Sequence, residues 1–348
     1  MTPKKNHKIS LDKFINYALY DKNKGYYMKK NPFGIKGDFT TAPNISRLFS
    51  EMIAIWTINY WQNLGCPKKF NLIELGAGNG EMMKIMIESF KKFPFFFTNC
   101  NIYIHEISSK LIKIQKSKIE EKNVKWVNNF NKLRNSTCLF LANEFFDSMP
   151  IKQFIKEKNN WFEKYVLFTK NNKTKFIKKK IKIQSLEKKL KFNISNRHNF
   201  FEYSPLGVKY LKNIIKIIKK KNGGLLILDY GYDNELSKNT LQAIYNKKYS
   251  NILENIGNSD ITYNINFNLF RKIAQKFKQI EVNFSTQKKF LTEIGIKQRA
   301  EILSKNKTFK EKADIYYRVK RLIDEKEMGN LFKVMLIKKL DNNFQIGF

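Results

Sequence analysis

Three glycines alternate with other residues directly after an apolar segment of the chain, in Glu74-Leu75-Gly76-Ala77-Gly78-Asn79-Gly80. The apolar residues before them predict a strand over 71–75, and the pattern after them predicts a helix that begins at Glu81. Glycine permits positive φ angles and lets the backbone approach a ligand closely, while the free N–H groups of the helix end face that ligand. This strand, turn and helix therefore predict a nucleotide-binding site.

The spacing of the glycines separates this turn from two common phosphate-binding motifs. A dinucleotide-binding fingerprint, G-x-G-x-x-G, would need a third glycine at position 81, which is Glu81. The Gly-Lys-Ser/Thr of a P-loop is also absent. A carboxyl group such as that of Glu74 suits a cationic sulfonium better than a pyrophosphate. The turn thus favours S-adenosylmethionine as the cofactor, and its predicted cofactor-binding residues are Glu74, Gly76, Ala77, Gly78 and Gly80.

A carboxylate, Glu106, ends the next predicted strand, which covers residues 101–106. In a doubly wound sheet this position faces the ligand at the carboxyl edge, where an acidic side chain can accept hydrogen bonds from both ribose hydroxyls. Taken alone, Glu106 could equally be a surface carboxylate. Because it follows the glycine turn at the spacing of one strand–helix unit, we predict that it binds the cofactor.

Polar side chains follow a third apolar strand, predicted over 137–142. They are Asn143, Glu144 and Asp147, and they are the candidate catalytic residues beside the donated methyl group. Methyl transfer is an in-line displacement, so the protein mainly aligns the nucleophile and excludes water. If the acceptor is a guanidinium, Glu144 and Asp147 can hold its charge, while Asn143 holds the cofactor or a substrate amide. In the structural alternative, Asp147 caps a turn before Pro150 and Glu144 is an ion-pair partner.

Strands and helices alternate from residue 70 onwards, which predicts βαβ crossovers and a mostly parallel, doubly wound α/β sheet. Residues 1–65 are predicted to form N-terminal helices, one over 9–20 and one capped by Ser46, with a loop between them. Residues 66–235 form the core, which an inserted β element at about 153–200 interrupts. Residues 236–348 are additions to the same domain, with helices near 267–277 and 298–305 and a strand over 332–337.

The composition of the 348 residues, of which 42% are hydrophobic, is typical of a globular protein. No run of about 18 uncharged apolar residues predicts a membrane span. The three cysteines and three histidines lack a metal-ligand spacing, so no metal is expected. The N-terminal residues show no secretion signal, and we expect a bacterial cytoplasmic protein. The oligomeric state stays open, a homodimer included.

The net charge of +36 raises the question of a nucleic-acid partner, because lysines that neutralise phosphates drive such binding. Only seven of the 66 basic residues are arginine, the residue that favours forked recognition of bases and phosphates. The lysines are also spread along the chain among abundant Ile, Asn and Phe. A biased amino-acid usage explains this pattern better than a dedicated patch, although it does not exclude nucleic acid as a partner.

Segments across nearly the whole chain resemble the MidA-like family of S-adenosylmethionine-dependent methyltransferases. The N-terminal loop and the Asn-Glu-Phe-Phe-Asp segment are specific to that family, whereas many methyltransferases share the glycine turn. The matching segments occur in family order, and they are Gly37-Asp38-Phe39-Thr40-Thr41-Ala42-Pro43, Glu74-Leu75-Gly76-Ala77-Gly78, Ala142-Asn143-Glu144-Phe145-Phe146-Asp147-Ser148-Met149-Pro150, Glu202-Tyr203-Ser204-Pro205, Leu228-Asp229-Tyr230-Gly231-Tyr232, Ser259-Asp260-Ile261-Thr262 and Phe290-Leu291 with Gly295-Ile296.

The resemblance implies a class I methyltransferase fold, which is Rossmann-like, with an extra region over the cofactor cleft. The family includes a mitochondrial arginine methyltransferase that assists the assembly of respiratory complex I, so the resemblance implies ω-N methylation of arginine on a protein partner, a complex I subunit in that member. It also places the loop with Asp38 and Thr41 near the cleft, as substrate-binding residues. The sequence departs from the family at Asn44, at Ser50 and near Thr240, which concerns the substrate side.

Two other functions compete with a protein arginine methyltransferase. A nucleic-acid methyltransferase would explain the positive charge. A non-catalytic assembly factor that binds the cofactor or a partner without turnover would explain the same family motifs.

Overall fold

The computed structural model describes residues 6–29, 32, 41–130, 133, 135–170, 173–234 and 238–348. Its contacts divide the chain into two compact units, each assembled from three stretches of sequence. Unit 1 comprises Met1–Lys30, Phe146–Lys212 and Gly231–Lys276, and unit 2 comprises Asn31–Phe145, Asn213–Tyr230 and Phe277–Phe348. The predicted substrate-binding residue Asp38 lies outside the described residues, whereas Thr41 lies within them.

The strands are numbered in chain order. They are β1 (His7–Ser10), β2 (Phe70–Leu75), β3 (Cys100–His105), β4 (Val124–Val127), β5 (Thr137–Asn143), β6 (Lys152–Glu157), β7 (Asn160–Phe168), β8 (Thr174–Ile181), β9 (Phe200–Tyr203), β10 (Gly223–Tyr232), β11 (Gln242–Tyr245), β12 (Lys248–Ser250), β13 (Asp260–Thr262), β14 (Ile265–Asn266), β15 (Ile280–Thr286) and β16 (Phe332–Lys339).

The helices are numbered in the same way. They are α1 (Leu11–Tyr20), α2 (Tyr26–Lys29), α3 (Ala42–Ile45), α4 (Arg47–Asn63), α5 (Glu81–Phe90), α6 (Pro94–Asn99), α7 (Ser109–Lys118), α8 (Ile183–Leu190), α9 (Pro205–Lys221), α10 (Phe267–Ala274), α11 (Gln287–Glu293), α12 (Ile296–Ser304), α13 (Phe309–Ile323) and α14 (Met328–Leu331).

Unit 2 contains a twisted sheet with the strand order β15-β16-β10-β5-β2-β3-β4. Every neighbouring pair from β10 to β4 is parallel, and β16 runs antiparallel to both β10 and β15. This arrangement confirms the predicted mostly parallel, doubly wound sheet. The chain builds outwards from β2 through β3 to β4 and then crosses to β5, so the strand order reverses between β2 and β5. Ligands of such sheets bind at the carboxyl ends of the strands beside this switch point.

The central strands of this sheet are apolar because helices cover both faces. All six residues of β2 are buried, and so are Cys138–Ala142 in β5. Helix α4 packs its aromatic side chains into the same core, where Trp56 stacks on Tyr60 with ring centroids 5.2 Å apart. Ser46 caps α4 as predicted, since its Oγ accepts a hydrogen bond from the N–H of Leu48 at 3.2 Å.

Unit 1 contains an antiparallel sheet in which β7 pairs with β8 on one side and with β1 and β6 on the other, and β6 pairs with β9. The predicted inserted strands are β6, β7 and β8. The helix predicted over 9–20 begins two residues later, at Leu11, and that part of the prediction is wrong. Ile9 and Ser10 belong to β1 and pair with Val166 and Tyr165 of β7, and helical spacing in a sequence cannot show so distant a pairing.

The predicted C-terminal helices and strand correspond to α10, α12 and β16. The sequence pattern did not reveal α13, although Thr308 and Glu311 form a capping box at its start. No helix of the described part of the chain is both long and apolar enough to cross a membrane. Within the same residues, no group of three or more histidine, cysteine or acidic side chains could hold a metal ion.

Candidate functional site

The glycine turn lies where β2 ends, at the switch point of the unit 2 sheet. Gly76, Gly78 and Gly80 all have positive φ angles, of 67°, 53° and 79°. The turn is closed by backbone hydrogen bonds, from the N–H of Gly80 to the carbonyl of Ala77 at 2.7 Å and from the N–H of Gly76 to the carbonyl of His105 at 2.9 Å. Gly80 is also the residue that precedes helix α5. The turn thus forms the backbone cradle that the sequence predicts.

Gly76 is required for a second reason besides its φ angle. A Cβ atom on Gly76 would lie 2.8 Å from Cδ2 of the Phe145 ring, closer than carbon atoms pack. Phe145 directly follows the candidate catalytic residues Asn143 and Glu144 along the chain. The close approach between the turn after β2 and the segment after β5 therefore depends on the missing side chain at position 76.

Glu106 follows β3 and holds its carboxylate in a defined orientation. Its Oε1 accepts hydrogen bonds from the N–H groups of Ile107 at 2.8 Å and Ser108 at 2.9 Å, and its Oε2 accepts one from Nε2 of Gln115 at 3.2 Å. Burial raises the pKa of Glu106, and these three donors oppose that rise. Since a carboxylate oxygen can accept two hydrogen bonds, Oε2 keeps capacity for a ligand hydroxyl.

Gln115 is a site residue that the sequence did not identify. It is fully buried on α7, and its Nε2 also donates to the carbonyl of Gly78 at 2.9 Å. Its Oε1 accepts a hydrogen bond from Nε1 of Trp126 at 2.8 Å. One side chain therefore ties the glycine turn to Glu106. Nothing in the local pattern of the predicted helix distinguishes this glutamine from a surface residue.

Glu74 is buried in β2, directly before the turn, with 3% of its surface exposed. Burial and, to a smaller extent, the nearby charge of Glu106 together raise the pKa of its carboxyl group to about 8. Its Oε2 is buried and has no hydrogen-bond partner among the described residues. Its environment therefore favours the protonated form of Glu74 at neutral pH.

These residues fit S-adenosylmethionine. The turn presents backbone atoms to a ligand, and Glu106 offers acceptor capacity for hydroxyl groups. The unpartnered Oε2 of Glu74 adds a buried polar atom beside them. The residues that would hold the cofactor are those predicted from the sequence, with Gln115 added as their support.

Asn143 and Glu144 stand at the carboxyl end of β5, on the other side of the switch point. Glu144 has a φ angle of 48°, an uncommon conformation for a residue with a side chain, and its N–H donates to the carbonyl of Leu228 at 2.9 Å. Its Oε1 accepts hydrogen bonds from the N–H of Ala42 at 3.3 Å and from Nδ2 of Asn143 at 3.4 Å. Backbone strain of this kind is often found at functional sites, because the surrounding structure must enforce it.

A second carboxylate, Asp229, lies within the neighbouring strand β10, level with the end of β5. Its side chain is fully buried, and it accepts hydrogen bonds from the N–H of Phe145 at 3.2 Å and from that of Tyr230 at 2.9 Å. The sequence placed Asp229 in a segment that resembles the family but did not identify it as a site residue. The parallel pairing of β5 with β10, in which Leu228 lies opposite Asn143, brings Glu144 and Asp229 to the same sheet edge.

The remaining predicted residues divide between the two units. Asp147 is buried in unit 1, where its backbone carbonyl accepts a hydrogen bond from the N–H of Tyr263 at 3.1 Å. The structure therefore does not group Asp147 with Glu144 in one unit, and its catalytic role stays a prediction. Thr41 is a buried residue of unit 2 that precedes helix α3. The next residue, Ala42, donates its N–H to Oε1 of Glu144.

Comparison with known families identifies the fold and the chemistry. Residues 52–285 match the family described as S-adenosyl-L-methionine-dependent methyltransferase. The protein arginine methyltransferase NDUFAF7, mitochondrial, of Danio rerio is 27% identical over 350 residues, which cover 93% of this chain and 82% of the relative. The protein of the same name from Homo sapiens is 27% identical, with 93% of this chain and 78% of the relative covered.

Solved structures show the same fold over almost the whole chain. A crystal structure of a Burkholderia thailandensis protein bound to S-adenosyl-homocysteine superposes with a TM-score of 0.83 at 18% identity, covering 98% of this chain and 90% of that one. A second crystal structure from the same organism, in the native form, gives a TM-score of 0.82 at 19% identity, covering 98% and 89%.

Proposed function

Because the chain belongs to the family of S-adenosyl-L-methionine-dependent methyltransferases, we propose that it methylates arginine side chains of a protein. The observation that supports the choice of acceptor is the carboxylate of Glu144, held in an uncommon backbone conformation directly after β5, where Phe145 meets the cofactor turn at Gly76. The relatives from Danio rerio and Homo sapiens support it, since both are named protein arginine methyltransferases. The MidA-like resemblance makes a subunit of respiratory complex I the first substrate to test.

The bound cofactor supplies a methyl group on a positively charged sulfur. The turn from Gly76 to Gly80 would receive the cofactor with backbone atoms, and Oε2 of Glu106 would accept a hydrogen bond from one of its hydroxyl groups. Neutral Glu74 beside them can donate a hydrogen bond, which an ionised carboxylate cannot do.

The acceptor side must hold a guanidinium, a flat cation with five N–H donors and no acceptor. The carboxylate of Glu144 offers charge-assisted hydrogen bonds that fix the plane of this group and orient one terminal nitrogen. When the new N–C bond forms at the expense of the methyl–sulfur bond, which leaves S-adenosylhomocysteine as the product, that nitrogen loses a proton, and the carboxylate of Glu144 would accept it. Asp229 holds the backbone of Phe145 and thereby maintains the conformation of the segment that carries Glu144.

The direct test is to identify the labelled product. The purified protein is incubated with cofactor carrying a radioactive methyl group and with extract from a strain that lacks its gene, and the labelled material is hydrolysed to amino acids. We expect the label in methylarginine and its loss on protease treatment. Label that ribonuclease removes would instead support a nucleic-acid substrate and refute the proposal. Mass spectrometry of the labelled protein then identifies the arginine.

A variant series separates catalysis from binding. We expect Glu144→Gln to lower the methylation rate by about 100-fold or more, because a positioned acid–base group contributes roughly that factor. Binding of S-adenosylhomocysteine, measured by calorimetry, should stay within twofold of the original. The same substitution at an exposed glutamate, Glu120→Gln, serves as the control. An unchanged methylation rate in Glu144→Gln would show that this carboxylate does not act on the acceptor.

A further inference from the structure

The short segment from Thr41 to Ser46, which includes α3, contacts both halves of the site in unit 2. On the acceptor side, the N–H of Ala42 donates to Oε1 of Glu144 at 3.3 Å. On the cofactor side, Oδ1 of Asn44 accepts a hydrogen bond from Nδ2 of Asn79, within the glycine turn, at 3.1 Å. Ala42 and Asn44, two positions apart on one short helix, therefore bond to two different parts of the site, Glu144 and the glycine turn.

The segment is itself held in one conformation by side-chain hydrogen bonds. Nδ2 of Asn44 donates to Oγ1 of Thr41 at 2.8 Å, across the first turn of α3. Inside the glycine turn, Oδ1 of Asn79 accepts a hydrogen bond from the N–H of Glu81 at 3.2 Å, at the start of α5. Thr41, Asn44, Asn79 and Glu81 thus form a continuous chain of hydrogen bonds that ends on the first helical residue after the turn.

A second anchor comes from the C-terminal part of unit 2. Arg318 on α13 donates from Nη1 to the backbone carbonyl of Ile45 at 2.8 Å, and its Nε donates to Asp314 at 2.7 Å. A carbonyl at the end of a four-residue helix has no partner within that helix, so this arginine supplies one. The C-terminal helix α13 therefore reaches the segment that contacts the site.

We propose that residues 41–46 form a brace that couples the cofactor turn to Glu144, with Asn44 as its central positioning residue and Arg318 as its anchor. The cofactor half of this inference rests on the chemistry of the family, and the acceptor half rests on the proposed function. The brace holds the turn in the conformation that binds the cofactor while it holds Glu144 in its strained conformation. Releasing the brace therefore weakens cofactor binding and slows methyl transfer together.

Asn44 gives the sharpest test, because we expect two substitutions at this position to affect cofactor affinity differently. Asn44→Ala removes both hydrogen bonds, and we expect the dissociation constant of S-adenosylhomocysteine to rise about five- to tenfold, the usual effect of losing such bonds. Asn44→Asp keeps an oxygen for Nδ2 of Asn79 and a second one that can accept from the Thr41 hydroxyl. We expect this variant to bind within twofold of the original protein.

Asn59→Ala is the matched control, since Asn59 lies on α4 and its side chain donates to the carbonyl of Ile55 at 2.8 Å, away from the site. In the ligand-free protein, the amide of Glu81 should exchange its hydrogen faster in Asn44→Ala than in Asn59→Ala. If Asn44→Ala lowers the melting temperature but leaves the affinity unchanged, the residue is only structural and the proposal fails. The proposal also fails if Asn44→Asp binds as weakly as Asn44→Ala.

Arg318→Met tests the anchor, with Arg321→Met on the same helix as its control, because Arg321 pairs with Glu327 at 3.6 Å instead. We expect about threefold weaker binding and a lower methylation rate at saturating cofactor in Arg318→Met, and neither effect in Arg321→Met. An unchanged rate at saturating cofactor in both Asn44→Ala and Arg318→Met would refute the coupling to Glu144. Since affinity is measured without an acceptor, absence of arginine methylation would count against the proposed function and leave the affinity test standing.

Discussion

The buried carboxyl group of Glu74 predicts a specific dependence of stability on pH. An ordinary glutamate has a pKa near 4.5, and burial beside Glu106 raises the pKa of Glu74 to about 8. Between these two values the folded protein retains a proton that the unfolded chain has released. Stability contributed by this group is therefore present at low pH and is lost as the pH rises towards 8.

The size of the effect follows from the two pKa values. Each unit of pH between them changes the free energy of unfolding by about 1.4 kcal/mol, so raising the pH from 5 to 7 should cost roughly 2 to 3 kcal/mol. Glu74→Gln replaces the protonated acid with a neutral group of nearly the same shape. We expect this variant to lose that part of the pH dependence and to gain stability over the original protein as the pH rises.

Urea unfolding followed by tryptophan fluorescence measures this difference. Three of the four tryptophans, Trp56, Trp61 and Trp126, belong to unit 2, so the signal reports mainly on the unit that contains Glu74. Unfolding curves at pH 5, 6, 7 and 8 are compared for the original protein, Glu74→Gln and the exposed control Glu120→Gln. Glu106, whose pKa is also raised, contributes in the same direction to all three proteins. Parallel pH profiles for the original protein and Glu74→Gln would show that Glu74 is ionised in the folded state and would refute this reasoning.

Three further substitutions test the cofactor site. Glu106→Gln should weaken S-adenosylhomocysteine binding by about 10- to 100-fold in calorimetry, the factor expected for hydrogen bonds to a charged group; an unchanged affinity would show that the carboxylate does not contact the ligand. Gln115→Leu leaves the part-buried carbonyl of Gly78 and a buried oxygen of Glu106 without their donor, so the free energy of unfolding should fall by about 2 to 3 kcal/mol in urea. Gly76→Ala combines a positive φ angle with a contact of 2.8 Å to Phe145, and it should abolish detectable cofactor binding. Adding Phe145→Leu should restore only part of that binding, because it relieves the contact and not the backbone strain.

The cofactor side of the site could be predicted because its signals are local. A buried parallel strand reads as an apolar run, and the glycines and Glu106 follow such strands directly. The order of strands and helices then places both segments at one edge of the sheet. These predictions needed no knowledge of distant contacts.

The acceptor side could be predicted only in part, because its geometry depends on residues far apart in the sequence. Glu144 was predicted from its place after β5, but Asp229 became a site residue only through the pairing of β5 with β10. The hydrogen bond between Asn44 and Asn79 joins residues 35 positions apart, and that between Arg318 and Ile45 joins residues 273 positions apart. No local pattern marks these residues as partners.

The sequence by itself determined the class of the sheet, the position of the glycine turn and the acidic residue after β3, because strand periodicity, turn chemistry and chain order are properties of short segments. The tertiary structure alone decided that burial raises the pKa of Glu74, which glutamine supports the turn and which segment connects the turn to Glu144. These outcomes depend on burial and on hydrogen bonds between distant residues, and both arise only when the chain is packed.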